Sequence, residues 1–166
     1  RVAVGSSKSA DATSLAYALA SGLASAGCQV FFHDIPFAAG AAAMSKLASC
    51  SLSLFMENDE NLNLHIFDRN GIAISSSVQR KLEGMVARGE GNMVSSLSAG
   101  KITAFTGGVE YYAALAASQG KAGRGLSVAV HGGHPAATAL AKSLIAAGFT
   151  LPMQPALSFA GLTVSV

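Results

Sequence analysis

Residues 2–35 read VAVGSSKSADATSLAYALASGLASAGCQVFFHDI, and two changes of rhythm within them decide the fold. Residues 1–5 form a short apolar run ending in glycine, which predicts a buried strand. Ser6, Ser7, Lys8 and Ser9 follow as a polar loop of cap-type residues, after which a helical stretch begins. Leu15, Leu19 and Leu23 recur every four residues, and Gly27 closes the stretch. Ala16, Ala18, Ala20, Ala24 and Ala26 keep that helix thin enough to lie close to a sheet. Residues 29–35 are apolar on both faces, as buried parallel strands are. Together these make one βαβ unit.

Outward from that unit, Pro36 is suited to the first turn of a second helix, running through Met44 and Leu47 to about residue 49. Residues 51–57 read as a strand, and Leu62, Leu64 and Ile66 alternate with period two in another. The polar Asn58, Asp59, Glu60 and Asn61 between them are too few for a crossover, so the two strands are expected to pair antiparallel. A turn over residues 68–71 leads to a cap region at residues 75–77. The helix after it carries Val78, Leu82, Met85 and Val86 on one side. After Asn92 the character repeats, with a helix from Gly107 and Gly108, a glycine-rich connection over 120–125, a strand over 126–130, a helix over 136–147 and a last strand over 162–166. The echo of the opening segment predicts two related modules, residues 1–91 and 92–166. The expected class is α/β, with a mixed sheet and helices on both faces in three layers.

Of the 166 residues 51% are hydrophobic and 12% charged, and the net charge is +2 with 11 basic residues scattered along the chain without a cluster. Such a balance gives no footprint for nucleic acid or an anionic membrane. No apolar run reaches the roughly 18 residues of a membrane span. The low charge fraction leads us to expect part of the surface to be covered by a second copy of the chain or by further domains. Cys28 and Cys50 lack CxxC spacing and read as buried structural thiols, which fits a cytoplasmic location.

Neither glycine-rich turn completes a nucleotide-binding motif. Ser6, Ser7 and Lys8 stand at the mouth of the first helix, where amides could cradle a phosphate; the plainer reading is a capping loop. His33 and Asp34 end the second strand. His131 and His134 could hold a metal only with a third ligand, and none stands nearby in sequence. Glu57, Asp59, Glu60 and His65 form the densest ionisable group, suited to acid/base work if a carboxylate meets the imidazole, though a solvated turn reads as well.

The order of elements resembles the phosphoglucomutase/phosphomannomutase superfamily, over its first domain and the start of its second. The opening VAVGSSKSADATS is similar to that family's VGRDTR strand and loop, and IPFAAGAAAM (residues 35–44) stands where the family starts its TPxxxxA helix. LNLHIFDRNGIAIS (62–75) resembles NGIKLFxxxGxxIS, with His65 at the lysine. LSVAVHGGHPAATALAKSLIAAG (126–148) is similar to the second domain's VVVDxxxGxG segment, with His131 at the aspartate.

The resemblance implies a serine phosphocarrier in TASHNP and a Mg²⁺-holding DGDxDR loop. Here the corresponding stretch is LFMENDENLN, which places Glu57 and Asn58 where the phosphocarrier is expected and fixes the register only to within residues 55–58. Ser53 would serve only by drawing the nucleophile back into the strand. No DGDxDR occurs in this sequence, so Mg²⁺ is expected only if the protein is active. Three functional expectations follow: a phosphohexomutase-like protein inactive as this chain but binding a sugar phosphate or phosphate; an active intramolecular phosphotransferase whose missing parts come from elsewhere; or a small anion-binding module.

Overall fold

The structure is a computed structural model and describes residues 1–91, 93–119, 127–131, 134–151 and 162–165. The chain divides into two compact units, Arg1–Thr106 and Gly107–Val166.

In the first unit, strand β1 (Val2–Ser6) runs into helix α1 (Ala10–Ser25), strand β2 (Val30–His33) and helix α2 (Ala38–Leu47). Strands β3 (Leu52–Asn58) and β4 (Leu62–Asp68), helix α3 (Ser76–Ala87) and strand β5 (Ile102–Phe105) follow. The strands form one mixed sheet in the order β4-β3-β1-β2-β5, parallel except for β4. Leu54 pairs with Ile66 and Phe55 with His65 in the antiparallel β3–β4 hairpin, as the short polar connection requires.

Because side chains alternate across a strand, β1 sends Val2 and Val4 to one face, where they pack with Val30, Leu54 and α1. The buried line of α1 is Ala12, Ala16, Ala20 and Ala24, four residues apart. Leu19 and Leu23 flank that line, and Leu15 is 42% exposed. The leucine spacing is therefore the shoulder of the interface, and the alanines set how closely helix meets sheet. On the opposite face Ala3 and Phe55 are fully buried, with Ile35, Phe37, Ala41 and Met44 from the α2 side. Ser53, also fully buried, donates from Oγ to the Ala41 carbonyl at 2.7 Å and ties β3 to α2. Helix α2 starts at Ala38 with Phe37 at its cap, so the buried Pro36 lies ahead of the helix and not in its first turn.

Strand β5 was not foreseen. It pairs with β2 from Val30↔Ile102 to His33↔Phe105, and so places part of the 92–106 segment in the first sheet. Helix α3 does carry its apolar stripe, yet none of its residues is buried: Val78, Leu82 and Val86 are exposed.

In the second unit, helix α4 (Gly108–Gln119) is followed by strand β6 (Val128–His131), helix α5 (Pro135–Ala146) and strand β7 (Leu162–Ser165). Strands β6 and β7 pair in parallel, from Val128↔Leu162 to His131↔Ser165, so α5 lies on a βαβ connection like that of the first unit. Among the described residues Ala113, Val128, Ala129, Ala137 and Ala139 are its buried apolar side chains, and Lys142 Nζ donates to Glu110 between α5 and α4. The glycine-rich connection expected over 120–125 lies outside the described residues. Among those described, no helix is long and apolar enough to cross a membrane.

Candidate functional site

Open α/β sheets present ligands with the carboxyl ends of their parallel strands, and there the chain gathers most of its candidate residues. After β1 the backbone leaves the sheet through Ser6, Ser7 and Lys8. Ser9 caps α1, its Oγ accepting from the Ala12 amide at 3.1 Å. Thr13 Oγ1 donates to the Ser9 carbonyl at 2.8 Å, which leaves its lone pairs to accept from Ser6 Oγ at 3.2 Å. The Ser7 amide donates to the Met56 carbonyl at 2.9 Å, and Ser7 Oγ accepts from the Asn58 amide at 3.2 Å. These two bonds lace the loop after β1 to the end of β3, so Ser6, Ser7 and Lys8 come beside Glu57 and Asn58. Both serine hydroxyls are thereby engaged. Lys8 is exposed, and Asp11 adds a carboxylate in the first turn of α1, where it competes with any anion for the helix's positive end.

Glu57 and His65 share one face of the hairpin as diagonal neighbours, because Phe55 pairs with His65 and Glu57 with Asn63. Glu57 Oε2 lies 2.8 Å from His65 Nε2, with side-chain exposures of 28% and 37%. The imidazole stands between Phe55 and Phe67, each ring centroid 6.4 Å away, and is within 8° of parallel to Phe67. A carboxylate-oriented imidazole in partial contact with solvent can pass a proton. Asp59 and Glu60 are exposed in the turn.

Register brings a third group to this edge. His33 is a neighbour of Gly5, which in turn stands beside Phe55, so one row reads His33, Gly5, Phe55, His65 from β2 to β4. The His33 imidazole occupies the space that a Cβ at Gly5 would need. His33 is buried, and burial lowers its pKa from 6.5 to about 4 against the opposing pull of Asp34. Its Nδ1 accepts from the Ile35 amide at 3.3 Å, which puts the ring hydrogen on Nε2, an atom with no partner among the described residues. A histidine held neutral down to such a pH packs the sheet edge and does not serve as an acid near neutrality.

The remaining candidates lie elsewhere. His134 caps α5, its Nδ1 accepting from the Ala136 amide at 3.1 Å, and the His131 side chain lies outside the described residues. Cys50 is buried and Cys28 half-buried, both as free thiols. Among the described residues no three His, Cys, Asp or Glu side chains converge to hold a metal, so the Mg²⁺ ligands that the resemblance implies are not supplied by them. Sequence reasoning missed Thr13 and the contact of Gly5 with His33. Gly5, ending an apolar strand beside a strand that ends in histidine, was the available signal.

No protein-family model matches the chain, and no curated protein matches it. Among solved structures, it is similar to a phosphoglucomutase/phosphomannomutase family protein from Burkholderia thailandensis, with a TM-score of 0.70 and 17% identity. The match covers 91% of this chain and 34% of that one, so the chain spans about a third of that protein's length. The likeness is one of fold, and it agrees with the resemblance read from the order of elements.

Proposed function

We propose that this chain is a phosphohexomutase-like scaffold that binds phosphate or a sugar phosphate at the carboxyl edge of its first sheet, without performing the mutase reaction itself. The observation that carries this reading is Ser53. It is the one serine of β3, and it is fully buried with its hydroxyl committed to Ala41 on the α2 side. The residues that do reach the edge, Glu57 and Asn58, offer a carboxylate already bonded to His65 and an amide side chain. Loss of a covalent nucleophile costs on the order of 10⁶ in turnover, and phosphoryl transfer otherwise rests on positioning and on charge stabilisation.

What supports retained binding is the start of α1, a 16-residue helix opening beside Lys8. Incubation with glucose 1-phosphate, glucose 1,6-bisphosphate and Mg²⁺ is expected to yield no glucose 6-phosphate, and measurable turnover would retire the proposal. Phosphate is expected to raise the melting temperature in a manner weakened by Lys8→Ala. An increase that Lys8→Ala leaves intact would remove the binding role from this loop.

A further inference from the structure

The opposite edge of the same sheet holds a cavity of about 370 Å³ lined by Ser45, Lys46, Ser49, Cys50, Ser51 and Arg69. It lies where α2 ends, β3 begins and β4 has just ended, so the seven residues of β3 separate it from Asn58 by roughly 20 Å of strand rise. Its lining residues include two cations and three serines, and no carboxylate. Among the described residues neither Lys46 nor Arg69 has a carboxylate at ion-pair distance. The nearest acid in sequence, Asp68, is held mainly by its own turn, accepting from the Asn70 amide at 2.8 Å and the Ile72 amide at 2.9 Å, with the Arg69 charge acting on it as well.

Two further features distinguish this edge. Ser45 is 1% exposed, yet its Oγ has no partner among the described residues. A helical serine ordinarily bonds back to the carbonyl four residues earlier, and here that carbonyl, Ala41, receives Ser53 Oγ instead. The second is Ser49. Helix α2 ends in a turn with the Cys50 amide donating to the Ser45 carbonyl at 2.9 Å and the Ser49 amide to the Lys46 carbonyl at 3.3 Å. That motif wants a left-handed residue after the cap, usually glycine. Helices α1, α3 and α5 place Gly27, Gly89 and Gly148 there, whereas α2 places Ser49 at φ 49°. Strain tolerated by a non-glycine residue on a cavity wall points to use of its side chain.

We infer that this groove is an anion site for the phosphate group of a small phosphomonoester, held by Lys46, Arg69 and the hydroxyls of Ser49 and Ser51. Two cations suit a dianion, and two hydroxyl donors add bonds to its tetrahedral oxygens. The negative end of α2 opposes an anion, but the Ser45 and Lys46 carbonyls there already accept from the Cys50 and Ser49 amides, and the attraction comes from the side-chain cations. Burial raises the Cys50 pKa and keeps that thiol uncharged on the wall. The groove is open to solvent along its exposed residues Lys46, Ser49, Ser51 and Arg69, and its volume exceeds what a bare phosphate fills.

The test is a titration of the full chain with inorganic phosphate and with glycerol 3-phosphate, followed by amide NMR against sodium chloride at matched ionic strength. Saturable shifts are expected at the amides of Lys46, Cys50, Ser51 and Arg69, tighter for glycerol 3-phosphate. Lys46→Gln with Arg69→Gln, both exposed positions, is expected to raise Kd about tenfold or more by removing two charge-assisted contacts. Lys8→Ala should leave these shifts unchanged, which separates this site from the one proposed at the other edge. Shifts equal to those in chloride, shifts that survive the double variant, or shifts confined to Ser7, Lys8 and Asn58 would each overturn the inference. Equal affinity for the two probes would overturn the phosphomonoester assignment.

Discussion

The two edges of the first sheet differ in how their polar groups are spent. At the carboxyl edge Ser6 meets Thr13, Ser7 meets Asn58 and Glu57 meets His65, so side chains that sequence alone offers to a ligand are bonded to one another. At the amino edge Lys46, Arg69 and the Ser45 hydroxyl have no such partners among the described residues. Residues suggestive of a site by type can be absorbed into scaffold, while an edge without any motif can leave cationic side chains without ion-pair partners.

Three experiments would sharpen that contrast. The largest effect is expected from acid. The folded pKa of His33, about 4, lies below its unfolded value near 6.5, so between those values the unfolded chain binds a proton that the folded chain does not. Its contribution is complete above about pH 6.5 and is lost as pH falls towards 4, amounting to roughly 3 kcal/mol. Urea denaturation of the chain and of His33→Asn across that range should show the wild-type slope flattened in the variant. An unchanged slope would mean that the carboxyl edge does not depend on a neutral His33.

Next, Gly5→Ala should destabilise by about 1–3 kcal/mol, because the added methyl overlaps the His33 ring in a filled layer. The same change in a His33→Ala background should cost much less, and equal costs in both backgrounds would break the claim that the row is packed through this contact. The smallest effect belongs to the amino edge: Ser49→Gly should stabilise the fold by about 0.5–1 kcal/mol by relieving its left-handed backbone. A loss of stability on chemical denaturation would show that the Ser49 hydroxyl serves the fold.

Much of the first unit was legible because its signals are local. The apolar run of β3, the period of two in β4 and the four-residue spacing in α1 survive in any window of the sequence. Strand β5 was not legible, since Ile102, Thr103 and Ala104 are exposed at an edge and show no buried alternation. The burial of Ala12, Ala16, Ala20 and Ala24 in preference to the leucines follows from how closely α1 approaches the sheet, which no window reports. The bond of Ser7 to Asn58 joins residues 51 apart, and the placing of His33 over Gly5 depends on β1 and β2 being in register. Lys46 and Arg69 meet only through the return of β4 beside β3, so their cavity had no sequence signal at all.

Strand β5 has a consequence for how the protein is made. The β2 side of the sheet is closed by a segment whose first link, from the Lys101 amide to Gln29 Oε1, spans 72 residues. Until residue 105 has left the ribosome, β2 therefore presents an open row of amides and carbonyls, a template for pairing with another nascent chain. A truncated version ending at residue 91 would leave β2 itself unpaired permanently, whereas one ending after Thr106 would pair it with the short strand β5.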